Sequence, residues 1–377
     1  MRVLLTGGGT AGHINPALAI ADIIRQNAPG SEIAFVGIRG GKEEDLVPRE
    51  GYRLFYVKSK GFLRSRTPSA MLANLHAGWL AVASPYYPST RGILDSFRPE
   101  IVIGTGGYAC WPIMAAAARR GIPTALHESN ALPGLAVRRL QGKVDCIWTN
   151  FEKTAGMLDA GEKIRCVGNP LRGDFGMIPR GEARRKLGLS DGQRLVLSFG
   201  GSLGAEHLNT AVLDLMEKLA PAHPEYLFCH ASGKRDFEAS RTAFSGRGLD
   251  AYPNCVLTDY IYDMPLRMAA ADLVISRAGA MTLSELARMG LPSVLVPSPY
   301  VADNHQYLNA KTLADAGAAV LVEEKTLPDG RLTNTVETLL PDREGLKKMS
   351  GQVKLFAGTD ANRRIWEDIL RLTGKKN

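Results

Sequence analysis

The chain has 377 residues, 45% of them hydrophobic, which favours two folded domains over one and excludes global disorder. Its net charge of +8 calls for an anionic partner; with no arginine-rich tail or zinc finger, a phosphorylated substrate or an anionic membrane is expected, and no nucleic acid. The five cysteines are odd in number and none stand at Cys-x-x-Cys spacing, so reduced, mostly buried thiols in a cytoplasmic protein are expected.

No apolar run reaches the roughly 20 residues of a membrane span, and glycines break the first one, so neither a span nor a signal peptide is expected. Any membrane contact is expected to be peripheral. Val3 to Thr6 reads as a short buried strand. It runs into Gly7-Gly8-Gly9-Thr10-Ala11-Gly12-His13, and a helical apolar pattern follows over 14–27. Strand, glycine turn and helix start make a phosphate cradle, because glycines allow close backbone approach and a helix N-terminus favours an anion. Further strands are expected at 32–37, 100–104, 122–127 and 144–149, with a helix over 109–120. This alternation predicts a parallel sheet with right-handed crossovers.

The stretch 58–94 differs. Lys58, Lys60, Arg64 and Arg66 precede Phe62, Met71, Leu72, Leu75, Trp79 and Leu80, several of which share a helical face. A basic rim beside an apolar face suits an anionic bilayer, and a core-facing helix behind a solvated loop is the alternative. Gly168-Asn169-Pro170-Leu171-Arg172-Gly173 reads as a hinge. The opening pattern then returns: 195–199 leads into Gly200-Gly201-Ser202-Leu203-Gly204-Ala205. Strands are expected at 194–199, 225–230, 254–257, 272–276, 292–296 and 318–322, and a last helix over 360–372 that crosses back onto the first domain. The domains are therefore expected at 1–170 and 171–359.

Gly7-x-Gly9-x-x-Gly12 matches the dinucleotide fingerprint, which also wants an acid at the end of the second strand. Here that strand ends in Gly37-Ile38-Arg39, and Glu43 and Glu44 read as helix-start residues, so a dehydrogenase is disfavoured. His13 sits at a helix N-terminus, where the positive dipole end disfavours imidazolium and leaves a neutral base, unless it merely caps or packs. Gly104-Thr105-Gly106-Gly107-Tyr108 is a third glycine loop opening at the same sheet edge, and His127-Glu128-Ser129-Asn130 ends another strand there. Glu128 is the second base candidate. In the second half, Arg277 to Glu285 opens a helix whose N–H groups suit a diphosphate, with Glu285 placed to accept from a ribose diol. Asp303-Asn304-His305-Gln306 suits sugar hydroxyls. There is no Asp-x-Asp and no Gly-x-x-x-x-Gly-Lys-Ser/Thr run, so neither a bound metal nor a cofactor is expected, and backbone N–H groups, helix dipoles and Arg172 are expected to meet the diphosphate.

Eight motifs in one order carry a resemblance: Gly-Gly-Thr-Ala-Gly-His at 8–13, Gly-Thr-Gly-Gly-Tyr at 104–108, His-Glu-Ser-Asn at 127–130, Gly-Asn-Pro-Leu-Arg at 168–172, Gly-Gly-Ser-Leu-Gly-Ala at 200–205, Tyr-Ile-Tyr-Asp-Met at 260–264, the run 277–285 and Asp-Asn-His-Gln-Tyr at 303–307. Together they resemble the MurG family, the lipid I N-acetylglucosaminyltransferases of bacterial peptidoglycan synthesis. The resemblance implies an α/β GT-B fold, with two doubly wound Rossmann-like domains facing a cleft. It implies UDP-GlcNAc as donor, undecaprenyl-diphosphate-linked muramyl pentapeptide (lipid I) as acceptor, lipid II as product and inversion at the sugar carbon. The amino-terminal domain would take the acceptor at the cytoplasmic face of the membrane, and the second would bind the donor. Carried over by motif, the substrate site comprises Thr10, Ala11, Gly12, Asn130, Arg172, Ser202, Ile261, Ala280, Met281, Thr282, Leu283, Ser284, Glu285 and Gln306. Ile261 would touch uracil, Ser202 and Thr282 the diphosphate, Glu285 the ribose, and Asn130 and Gln306 the GlcNAc. His13 is the expected catalytic base, with Glu128 behind it. Ala11 replaces a usual glycine, so the loop must avoid positive φ there. A related glycolipid transferase of the same fold and a non-catalytic nucleotide-sugar-binding protein are the alternatives.

Overall fold

The structure, a computed structural model, describes residues 1–59, 79, 83–172, 175–201, 204–357 and 360–375. The chain divides into two compact units, Met1–Arg172 with Gly358–Asn377, and Gly173–Ala357.

The first unit holds seven parallel strands: β1 (Arg2–Thr6), β2 (Glu32–Gly37), β3 (Arg53–Tyr56), β4 (Ile101–Gly104), β5 (Thr124–Glu128), β6 (Cys146–Thr149) and β7 (Ile164–Cys166). Their order is β3-β2-β1-β4-β5-β6-β7. The sequence of β1 shows why it lies in the interior of the sheet. Val3 and Leu5 face one core with Ile14, Leu18 and Trp148, while Leu4 faces the other with Val102, Met114 and Leu126. A strand buried on both faces carries continuous apolar residues, as parallel sheets require. The helix Ala361–Thr373 packs on the first of these cores through Ile365, Trp366 and Ile369, against the helix Ala11–Asn27.

The second unit holds six parallel strands: β8 (Arg194–Phe199), β9 (Tyr226–Ala231), β10 (Cys255–Thr258), β11 (Leu273–Ser276), β12 (Ser293–Leu295) and β13 (Val320–Leu321), in the order β10-β9-β8-β11-β12-β13. Val196, Phe228, Ile275 and Val294 meet Leu208, Val212, Met216 and Val336 in its core. Each sheet reverses its winding beside its first strand, between β1 and β4 and between β8 and β11. At such a reversal the loops leaving the two strands part, and a crevice opens at their carboxyl ends. The glycine-rich run 7–12 follows β1 and Gly200-Gly201 follows β8, so both stand at these crevices.

Two strands depart from expectation: β3 and β7 are both edge strands that the apolar runs do not announce. Among the described residues, no helix is long and apolar enough to cross a membrane. Of the basic and apolar stretch singled out above, Lys60, Phe62, Arg64, Arg66, Met71, Leu72, Leu75 and Leu80 lie outside the described residues. Trp79 is 60% exposed, and its ring lies 6.0 Å from that of Tyr87.

Candidate active site

In the first unit the loops after β1 and β4 interlock. Thr105 is buried; its Oγ donates to the His13 carbonyl at 2.6 Å and its backbone N–H donates to the Thr6 carbonyl. His13 Nδ1 stands 3.1 Å from the Thr105 carbonyl oxygen. A carbonyl only accepts, so Nδ1 carries the proton, and in the neutral tautomer the lone pair falls on Nε2. Gly106 makes this approach possible: its φ is +96°, and a Cβ there would lie 2.9 Å from His13 Nδ1. Thr10 precedes the helix and its carbonyl accepts from the N–H groups of His13 and Ile14. Ala11 is the first residue of the helix, and Gly12 is exposed.

Glu128, the second base candidate, has a structural task. It is 4% exposed; Oε1 accepts from the Asn130 backbone N–H at 2.9 Å and from its amide at 3.1 Å, and Oε2 from Gly134 N–H at 2.8 Å. Burial raises its carboxyl above the usual range, and these bonds work against that rise. Its oxygens shape the 128–134 turn, and the Asn130 amide is tied to that task. Arg172 is likewise engaged. Its Nε donates to Asp22 at 2.8 Å, and its two terminal nitrogens grip Glu50 at 2.9 and 2.7 Å. The arginine expected on a diphosphate therefore clamps two helices of the first unit.

His127 is fully buried, with Nε2 at 3.2 Å from the Gly168 carbonyl and Nδ1 at 3.3 Å from Ser129 Oγ. Burial pushes its pKa down to about 4 from 6.5. The unfolded chain therefore takes up a proton at higher pH than the folded one. Stability present above pH 6.5 is lost as pH falls toward 4, by about 2 kcal/mol between pH 7 and pH 5 for this group alone. All four tryptophans, Trp79, Trp111, Trp148 and Trp366, lie in the first unit, so their fluorescence follows its unfolding. His127→Asn is expected to flatten the acid side of the urea-midpoint profile read this way. An unchanged slope would remove His127 as its source; the raised carboxyl of Glu128 acts in the opposite sense in both proteins.

In the second unit the helix Ala280–Met289 starts after β11 behind Gly279. Ala280 and Leu283 are buried, Met281, Thr282 and Ser284 are half-buried, and Ser284 Oγ donates to the Ala280 carbonyl at 3.1 Å. Glu285 has no hydrogen-bond or ionic partner among the described residues. It keeps some solvent contact, yet burial alone pushes its carboxyl up to about 8. Gln306 Oε1 accepts from Ser298 N–H at 2.9 Å. Asp303 and Asn304, just before it, both have φ near +50°, a conformation that costs non-glycine residues energy and concentrates at functional loops. Ile261 is buried beyond β10. Ser202 lies outside the described residues.

Glu43 and Arg277 have partners that the local sequence pattern does not announce. Arg277, at the end of β11, forms a buried ion pair with Glu324 and donates to the Val296 carbonyl at 3.2 Å, tying together the ends of β11, β12 and β13. Arg277 heads the run 277–285, but nothing in that run points to Glu324 as its partner.

Residues 3–149 match the glycosyltransferase family 28 N-terminal domain and residues 195–365 its C-terminal domain. The chain is 41% identical over 371 residues to the UDP-N-acetylglucosamine–N-acetylmuramyl-(pentapeptide) pyrophosphoryl-undecaprenol N-acetylglucosamine transferase of Acetivibrio thermocellus, covering 98% of this chain and 97% of that one. It is 38% identical to the Caldanaerobacter subterraneus subsp. tengcongensis protein of the same name, over 99% and 100% of the two chains. Among solved structures, Acinetobacter baumannii MurG superposes with a TM-score of 0.75 at 26% identity, over 98% of this chain and 99% of that one. The two doubly wound units are those of the GT-B fold, and the chain belongs to glycosyltransferase family 28 and, within it, to the MurG family of N-acetylglucosaminyltransferases.

Proposed function

We propose that this chain moves GlcNAc from UDP-GlcNAc to undecaprenyl-diphosphate-linked muramyl pentapeptide, lipid I, and so forms lipid II for peptidoglycan. The whole-length identity to transferases of that name carries the reading. The residues supply a matching chemistry. A hydroxyl of the acceptor muramyl sugar attacks the anomeric carbon, its proton passes to His13 Nε2, and UDP leaves. The N–H groups and dipole opening the helix Ala280–Met289 offset the charge that develops on the diphosphate. Glu285 accepts from the ribose diol, Ile261 lies at the uracil, and Gln306 and Asn130 lie at the GlcNAc. Thr10, Ala11 and Gly12 are assigned to the acceptor side, and the residues Ala280 to Ser284 to the diphosphate.

Glu285 gives this assignment a pH signature. Burial pushes its carboxyl up to about 8, so ionisation above neutral pH frees both oxygens to accept from the two ribose hydroxyls. The KM for UDP-GlcNAc is therefore expected to fall severalfold between pH 7 and pH 8.5, and Glu285→Gln to raise KM while abolishing this trend. A trend that survives in Glu285→Gln would take the ribose role away from this residue.

The protein is proposed to work peripherally at the cytoplasmic face of the membrane. Trp79 and Tyr86 are 60% and 61% exposed, Lys58 lies over the Tyr87 ring, and the Arg119 guanidinium lies 3.8 Å from the Tyr86 ring centroid. Aromatic rings beside cations suit an anionic interface. The deciding experiment is transfer of labelled GlcNAc to a lipid I analogue held in anionic or in neutral vesicles, with other UDP-sugars as controls. Transfer from UDP-GlcNAc alone, faster on anionic vesicles, is expected. No transfer would favour a binding protein, and equal rates on both vesicles would remove the charged-surface role.

A further inference from the structure

The first glycine loop already holds a side-chain carboxyl group. Glu43, in the short helix Glu43–Arg49, is 1% exposed. Its Oε2 accepts from Gly9 N–H at 3.2 Å and its Oε1 from Ile38 N–H at 3.0 Å. Among the described residues no cation pairs with it. Three glycines close around the side chain: a Cβ on Gly8 would lie 2.5 Å from Oε1, one on Gly41 would lie 2.5 Å from Oε2, and one on Gly37 would collide with Cγ. A buried carboxylate without a counter-ion survives only where hydrogen bonds to N–H groups replace its water. Backbone N–H groups of the β1 loop and of the β2 end provide that here.

We infer that Glu43 is a positioning residue: its carboxylate occupies the cradle that a glycine loop of this kind offers to a ligand phosphate, and so fixes the turn that aims His13. The chain of contacts is short. Glu43 holds Gly9; Gly9 leads into Thr10, whose carbonyl accepts from His13 N–H at 3.0 Å. From the far side Gly106 packs on the imidazole. The carboxylate also bars a second anion from Gly9 N–H, which leaves the first turn of the helix Ala11–Asn27 for any acceptor phosphate. The acid absent from the end of β2 has thus been supplied from six residues beyond Gly37, and turned inward rather than toward a ribose.

This inference rests on His13 as the base, and the test separates the two. Glu43→Gln keeps the shape and one accepting oxygen but sets an NH2 group against one of the two N–H donors. Gly41→Ala leaves Glu43 in place and displaces its carboxylate. Both variants and His13→Ala are assayed for GlcNAc transfer to the lipid I analogue, with the folded fraction read from tryptophan fluorescence. Per folded molecule, kcat is expected to fall about tenfold or more in Glu43→Gln and Gly41→Ala, with the KM for UDP-GlcNAc within about twofold of the parent. A residue that only stabilises the fold would lower the urea midpoint and leave kcat per folded molecule intact. Parental kcat in both variants, with His13→Ala inactive, overturns the Glu43 inference alone. Turnover retained in His13→Ala overturns the base assignment, and the Glu43 inference with it.

Discussion

His13→Ala is expected to lower kcat for GlcNAc transfer by about 10²- to 10⁴-fold, the range in which a positioned general base contributes. The KM for UDP-GlcNAc is expected to stay within a few-fold, because the residue acts on the acceptor hydroxyl. The Thr105 carbonyl at 3.1 Å holds the proton on Nδ1, so in the neutral tautomer the other nitrogen presents its lone pair. The helix that His13 enters starts two residues earlier, at Ala11. Gly106→Ala tests the same geometry from the opposite side. Its Cβ would press on Nδ1 at 2.9 Å in a backbone of φ +96°, so the ring must move, and kcat is expected to fall without loss of the imidazole. Steady-state kinetics on the lipid I analogue decides both. Parental kcat in His13→Ala would shift the search to a base outside this loop, and Glu128 would be a poor successor because its oxygens are already bonded to Asn130 and Gly134.

The sequence carries the central strands plainly because they are buried on both faces and read as unbroken apolar runs. The edges are harder. β3 is Arg-Leu-Phe-Tyr with an exposed first residue and three half-buried ones, and β7 is Ile-Arg-Cys, only three residues long. Each pairs on one side only, so neither needs the apolar density that marks a strand. The glycine loops are legible for a related reason: backbone crowding at a switch point admits little else. What local pattern cannot give is the partner of a long polar side chain. Arg172 follows the hinge motif and carries the right charge for a diphosphate, yet Asp22 and Glu50, brought near by the helices after β1 and β2, satisfy it first. Glu43 misleads in the opposite sense. An acid in the first turn of a helix is ordinarily solvated and serves the dipole, and only the fold reveals three glycines closing over it. The Glu128 oxygens are engaged in the same way, accepting from Asn130 and from Gly134, six residues on in the chain.

The last helix offers the largest test of stability. Asp368 is 1% exposed within the helix Ala361–Thr373, and its Oδ2 accepts from Trp148 Nε1 at 2.8 Å on β6. Oδ1 pairs with Arg165 of β7 and, at 3.1 Å, with Arg371 one turn on. The two arginines are 43% and 54% exposed, so if Asp368 is removed they rehydrate, and each pair contributes at most about 1 kcal/mol. Trp148 is fully buried and cannot rehydrate; its orphaned N–H costs about 1–3 kcal/mol. Asp368→Ala is therefore expected to destabilise the first unit by about 3 kcal/mol, with the tryptophan bond as the largest part. Asp368→Asn keeps an acceptor for Trp148 and is expected to cost about half as much. The partition can be checked through Trp148→Phe, which removes the donor: in that background Asp368→Ala should cost at least 1 kcal/mol less. Urea unfolding followed by the remaining tryptophans reads the first unit separately from the second, which has none. Equal costs of Asp368→Ala in the two backgrounds would mean that the exposed ion pairs, and not the buried N–H, hold the carboxy-terminal helix on the sheet.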